Sequence, residues 1–130
     1  MVGIVIISHS NKIAEGVTEM ALQMAPEVPI IPAGGTKDNE IGTDINKISD
    51  AIKKVYSDDG VMILFDLGSA YMNAQMAIDF LEEDIDINKV QIIDCALIEG
   101  AIAAAVQSGI GSNIEEIKEA LKDLRLEKIS

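Results

Sequence analysis

Four short aliphatic runs, Val2 to Ser8, Val28 to Ile31, Val61 to Phe65 and Val90 to Ile93, recur along a 130-residue chain. Each is rich in β-branched residues and too short for a helix, so each reads as a buried strand. The segments between them carry apolar residues at helical spacing: Ile13, Val17, Met20, Ala21 and Met24, then Ile45, Ile48, Ile52 and Val55, then Met72, Met76, Phe80 and Leu81. Strands that alternate with helices at intervals of roughly thirty residues point to βαβ units, because parallel neighbours can be joined only by a long crossover. Two more helices, Glu99 to Ser108 and Ile114 to Leu124, are predicted after the last strand. The expected fold is therefore α/β, an open parallel four-stranded sheet with helices on both faces, and residues 1–130 are expected to form one domain.

Composition narrows the partners. Hydrophobic residues make up 48% of the chain and aromatic residues 3%, so the core must be built from aliphatic side chains. The formal net charge of −12 repels nucleic acid and anionic lipid, and neither is expected as a partner. Cys95 is the sole cysteine, which excludes an internal disulfide and a cysteine-rich zinc site and suits a reducing compartment. No apolar stretch approaches the roughly 18 residues of a membrane span. Met1 to Ile7 lacks the basic start and small-residue cleavage site of a signal peptide, so a soluble, cytoplasmic protein is expected.

In open parallel sheets, ligands bind outside the carboxyl ends of the strands, near the point where strand order reverses. That rule nominates Ser8, His9 and Ser10 after the first strand, Gly34 to Thr36 after the second, Asp66 to Ser69 after the third and Asp94 to Leu97 after the fourth. Residues 33–43, AGGTKDNEIGT, form the longest non-periodic loop, which reads equally as a flap beside a site or as a plain connection.

His9 is the sole histidine and the leading candidate. An imidazole can act as a nucleophile through one nitrogen while a hydrogen bond fixes the other. A lone histidine is more often structural, but the strand-end position and the flanking serines favour chemistry here. Asp66, in FDLGSA, can accept the Nδ1 proton of His9, leaving Nε2 to attack phosphorus and stabilising the positive charge that follows. The competing reading of Asp66 is a helix cap, a task that Ser69 fits at least as well. Donors for a phosphoryl group on His9 are available at Ser10, Gly35, Thr36, Gly68 and Ser69.

Other chemistries are weaker. Neither glycine-rich turn is followed by Gly-Lys-Ser/Thr, so no ATP site is indicated. One His and one Cys far apart argue against a transition-metal site, and no cofactor is expected. Ser69 lies in LGSAY, which lacks the second glycine of a nucleophile elbow. Met72 and Met76 read as core.

The segment GIVIISHSNKIAEG, residues 3–16, resembles the opening of the mannose-type enzyme IIA domains of the phosphoenolpyruvate-dependent phosphotransferase system. The resemblance implies that His9 is the phosphorylated residue. GGTKDNEIGTDINKI (34–48), DLGSAYMNAQMAI (66–78) and ALIEGAIAAAVQ (96–107) resemble one branch more closely, the phosphotransfer subunits of phosphotransferase-dependent dihydroxyacetone kinases. The short spacing from Asp66 to Ser69 also favours that branch over the sugar-permease branch. The resemblance implies the phosphocarrier HPr as donor, ADP on a separate kinase subunit as acceptor, and a phosphotransferase component that is usually dimeric. The small side chains of Ala101 to Val106 would suit close helix approach in such a dimer. HPr is expected as a separate protein, since no carrier domain follows in this sequence. The family fold allows a C-terminal edge strand; some members exchange one between subunits, and nothing in residues 124–130 establishes that exchange.

Three rival readings stand beside this one: a mannose-type sugar-permease enzyme IIA component, a signalling receiver domain phosphorylated on Asp66, and a non-catalytic binding or regulatory module of the same fold. The receiver needs an acidic pair where this chain has Ser8-His9-Ser10.

Overall fold

The computed structural model describes residues 1–129. Its elements run β1 (Gly3–Ser8), α1 (Asn11–Met24), β2 (Ile30–Gly34), α2 (Ile45–Val55), β3 (Val61–Phe65), α3 (Gly68–Asp79), a 3-10 turn (Ile87–Lys89), β4 (Val90–Ile93), α4 (Leu97–Gly109), α5 (Ile114–Ala120) and a second 3-10 turn (Lys122–Leu124). The strands form one parallel sheet in the order β2-β1-β3-β4, with Ile7 opposite both Ala33 and Phe65.

Alternation along the strands builds two cores. Val2, Ile4, Ile6, Met62 and Leu64 face α1, α4 and α5, whereas Val5, Ile7, Ile63 and Phe65 face α2 and α3. Both faces of the sheet are thus covered, which is why β1 and β3 are buried throughout. Ser10 caps α1 and Asp44 caps α2 through side-chain bonds to Ile13 N–H and Lys47 N–H.

Three readings of the sequence need correction. The second strand runs from Ile30 to Gly34 rather than from Val28, because Val28 N–H turns back to the Ala25 carbonyl and Pro32 is accommodated within the strand. Proline is tolerated there because β2 is an edge strand. Met72 and Met76 are exposed, not core; α3 instead buries Ala70, Ala74, Ala77 and Ile78. In the same way α1 buries Ala14, Val17 and Ala21 while Ile13, Met20 and Met24 face outward, because small residues let both helices lie close to the sheet. The small face of α4 is likewise used inside the chain: Ala101, Ala104 and Ala105 are fully buried against the first core, so they carry no argument for a dimer.

The chain ends on an antiparallel return. Leu126 N–H donates to the Asp94 carbonyl and Ala96 N–H to the Leu124 carbonyl, around a single bridge between Cys95 and Arg125. The described residues therefore contain a bridge where an edge strand was allowed for, and Ser130 lies outside them.

Candidate phosphoryl-transfer site

Strand order reverses between β1, whose chain leaves toward β2, and β3, whose chain leaves toward β4. His9 follows β1 directly and Asp66 follows β3 directly, so the topological switch point places the two side by side.

The Asp66 carboxylate accepts four hydrogen bonds. Oδ2 takes the Ser8 hydroxyl and the His9 main-chain N–H, each at 2.9 Å. Oδ1 takes the His9 ring at Nδ1, 3.0 Å away, and the Leu67 N–H at 2.7 Å. Partial burial pushes this carboxyl up, but the bonds from His9, Ser8 and Leu67 together outweigh it and hold the group below the ordinary carboxylate range. It is therefore ionised at neutral pH, and its Oδ1 fixes the Nδ1–H tautomer of His9. Nε2 then carries the lone pair. Ser69 Oγ lies 2.7 Å from Nε2 and, with the ring's single proton on Nδ1, is placed to donate to it.

Ser69 is the second residue of α3, not its cap: the cap position is Leu67, with no side-chain cap bond. The hydroxyl is free for His9 for that reason, and it stands at the amino-terminal end of a helix, where orphan N–H groups favour an anion. Gly68 opens the same helix, and its Cα lies against the Lys128 carbonyl so closely that a Cβ would overlap. Ser10 uses its hydroxyl to cap α1 and its N–H to contact Ser8 Oγ at 3.0 Å.

The loop after β2 is fastened beside the site. Gly42 N–H donates to the His9 carbonyl at 2.8 Å, and Gly35, with φ of +75°, donates its N–H to the Ser8 carbonyl at 3.1 Å. Thr36 Oγ1 accepts the Glu40 N–H at 3.1 Å, and Lys47 Nζ joins the Gly34 carbonyl to Asn39 Oδ1. At the far end Asn73 on α3 donates to Thr43 Oγ1. Gly35 and Thr36 thus hold the loop together next to His9, and among the described residues the ring's hydrogen bonds go to Asp66 and Ser69 instead.

Sequence reasoning singled out His9, Asp66 and Ser69 and missed the working role of Ser8, whose fully buried hydroxyl orients Asp66. A polar residue closing an otherwise aliphatic buried strand was the available signal. Lys128, whose ammonium donates to the Phe65 carbonyl, had none.

An α/β protein with a carboxylate-oriented imidazole at its switch point, its lone pair directed at a helix terminus, has the parts of a nucleophilic phosphoryl acceptor. The chain belongs to the EIIA-man family, described as the PTS system fructose IIA component, whose model matches residues 3–118. Among relatives, the phosphoryl donor subunit DhaM of PEP-dependent dihydroxyacetone kinase 2 from Listeria innocua is 39% identical over 125 residues, covering 95% of this chain and 99% of that protein. The phosphotransferase subunit DhaM of the PTS-dependent dihydroxyacetone kinase from Lactococcus lactis is 35% identical over 126 residues, 97% of this chain and 98% of its own. The DhaM of Escherichia coli is 39% identical over 121 residues, and there the match spans 25% of the longer protein. A crystal structure described as that of "unknown function protein EF1359" superposes with a TM-score of 0.83 at 33% identity, covering 98% of each chain. A sigma-54 interaction domain protein from Enterococcus faecalis shares the fold, with a TM-score of 0.69 at 15% identity.

Proposed function

We propose that this protein is a phosphohistidine carrier that takes a phosphoryl group on Nε2 of His9 and passes it to ADP held by a separate subunit of a dihydroxyacetone kinase. The observation that carries the reading is the Asp66 Oδ1 contact with His9 Nδ1, which leaves Nε2 as the nucleophile. In acceptance, an N–P bond forms at Nε2 as the donor's bond to phosphorus breaks. The Nδ1 proton stays in place, and Asp66 stabilises the positive charge on the ring. Delivery reverses these roles, with the terminal phosphate oxygen of ADP as acceptor. Ser69, which meets the ring at Nε2, and the N–H groups at the start of α3 from Gly68 on are the proposed donors to the phosphoryl oxygens, while Ser10, Gly35 and Thr36, whose N–H groups are bonded to Ser8 and Glu40, shape the rim of the site.

The DhaM names of relatives that match along their whole length support the kinase branch over a sugar permease. A receiver-like reading draws no support from the geometry, since both oxygens of Asp66 are engaged by His9, Ser8 and Leu67. HPr is the proposed donor, the cytoplasm the proposed compartment and a homodimer the proposed assembly, on family grounds. Among the described residues no helix is long and apolar enough to cross a membrane.

The test is to incubate the protein with phosphoenolpyruvate, enzyme I and HPr and to map the label by fragmentation. The phosphorylated protein is then offered an ADP-loaded kinase subunit. Acid-labile label on His9 and formation of ATP are expected. Label elsewhere would overturn the carrier chemistry, and delivery to a sugar-permease subunit alone would overturn the branch.

A further inference from the structure

Lys128 sits on the return segment after the last helical turn, yet its ammonium reaches the carboxyl end of the sheet. Nζ donates to the Phe65 carbonyl at 2.5 Å and to the Cys95 carbonyl at 2.6 Å, and it stands 4.3 Å over the Phe65 ring. The main chain of the same residue is tied as well. Its N–H donates to Asp94 Oδ2 at 2.9 Å, and its carbonyl lies against the Cα of Gly68. Asp94 Oδ1 is buried with no hydrogen-bond partner among the described residues and faces the ammonium at 3.9 Å.

One residue thus joins the end of β3, the end of β4 and the start of α3. Two of its contacts, at Phe65 and Gly68, bracket the turn that carries Asp66, and Ser69 follows immediately. The Lys128 side chain is 14% exposed, so its charge acts through little water. A buried cation needs compensation: burial pushes its pKa down, while Asp94, Cys95 and Asp66 pull it back up. A tail that merely had to be pinned could use an apolar side chain over Phe65 without that desolvation cost. The ammonium adds what an apolar group cannot, namely bonds to two strand-end carbonyls and a positive field toward the Asp66 carboxylate.

We propose that Lys128 is a positioning residue for phosphoryl transfer: it holds the Phe65–Gly68 turn so that Asp66 and Ser69 meet opposite nitrogens of His9. The proposal rests on the carrier reading above.

The experiment compares wild type with Lys128→Met, Lys128→Arg and Asp94→Ala in the full chain, by three readouts: initial rate of phosphorylation from phosphorylated HPr, solvent exchange of the His9 Nδ1–H resonance, and melting temperature. Lys128→Met is expected to slow acceptance about tenfold, on the scale of one charged hydrogen bond, and to speed exchange of the Nδ1 proton. Lys128→Arg is expected to recover most of both, because a guanidinium can donate to two carbonyls. Asp94→Ala, which frees the segment's main chain, is expected to move both in the same direction by less. A folded Lys128→Met with wild-type rate and exchange would reduce Lys128 to an anchor, even with a lowered melting temperature. If Lys128→Met does not fold, unchanged rate and exchange in Asp94→Ala overturn the proposal instead. If wild type takes no label on His9, the carrier reading fails, while the exchange readout still decides whether Lys128 positions the ring.

Discussion

Ser69 Oγ and Asp66 Oδ1 contact opposite nitrogens of one imidazole, at 2.7 Å from Nε2 and 3.0 Å from Nδ1 of His9. Phosphorus needs the lone pair that the serine hydroxyl now occupies, so the hydroxyl must rotate away as phosphorus arrives and then face a phosphoryl oxygen. Ser69→Ala is expected to slow single-turnover acceptance about tenfold, and Ser69→Thr to retain most of the rate. An alanine variant faster than wild type would show that the hydroxyl only blocks the nitrogen.

His9→Ala should fold, since the buried faces of β1 do not include the ring, and should take no phosphoryl group. Asp66→Asn has two effects. An amide can accept at one oxygen only, so either the pair Ser8 and His9 N–H or the pair His9 Nδ1 and Leu67 N–H is left facing an NH2 group. A destabilisation of about 1–3 kcal/mol is expected in denaturant titration, together with a loss of about one to two decades in transfer rate.

Stability at low pH follows from the same carboxylate. Its folded pKa lies below its ordinary value of 3.8, so its contribution is fully present above that value and disappears as pH falls through the folded value. The gap in unfolding free energy between wild type and Asp66→Ala should therefore be largest near neutrality and shrink as the pH drops below about 4. A gap that stays constant down to about pH 2 would mean that the carboxylate contributes no charge-dependent stability.

Cys95 is 1% exposed, and burial pushes its thiol up to about 11, with Gly100 packed against its sulfur. Iodoacetamide should leave it unmodified in the folded protein at pH 8 and alkylate it rapidly in denaturant. Because the folded thiol keeps its proton longer than the unfolded one, stability should decline as pH rises from the ordinary value of 9.0 toward about 11. Rapid alkylation without denaturant would place the thiol at the surface.

The small face of α3 is tested by a pair of variants. Ala74 is fully buried and Met72 is 69% exposed, two residues apart in sequence and therefore on opposite sides of α3. Ala74→Leu should cost about 1–3 kcal/mol through overpacking, whereas Met72→Ala should stay within about 0.5 kcal/mol of wild type.

The order of strands and helices was legible because β-branched runs and helical spacings differ in period, and β3 and β4 fall on the residues read from the pattern. Helix orientation was less legible. Methionine and isoleucine weigh more than alanine in any hydrophobic pattern, but here alanine faces the sheet because only a small side chain lets the backbones approach. His9 and Asp66 could be found because the switch-point rule converts strand ends into neighbours. Ser69 was seen both as a phosphoryl donor and as a helix cap, and the cap position falls two residues earlier, at Leu67, which changes what the serine can reach. Lys128 could not be found, because a side chain crossing from the end of the chain to a strand 63 positions away leaves no local periodicity.

The proline in β2 has a consequence for how these molecules meet in solution. Main-chain donors alternate along a strand, and Gly35 N–H, like those of residues two apart from it, points to β1. Parity therefore turns the nitrogen of Pro32 outward, to the open margin of the sheet, where it offers no hydrogen. An incoming strand would lose a rung at the middle of that ladder. At the opposite margin the Cys95–Arg125 bridge already occupies the tip of β4. A sheet so bordered offers an added strand only an interrupted ladder at one margin and a blocked tip at the other, which disfavours edge-to-edge stacking into fibrils and leaves the helical faces as the surfaces for the proposed dimer.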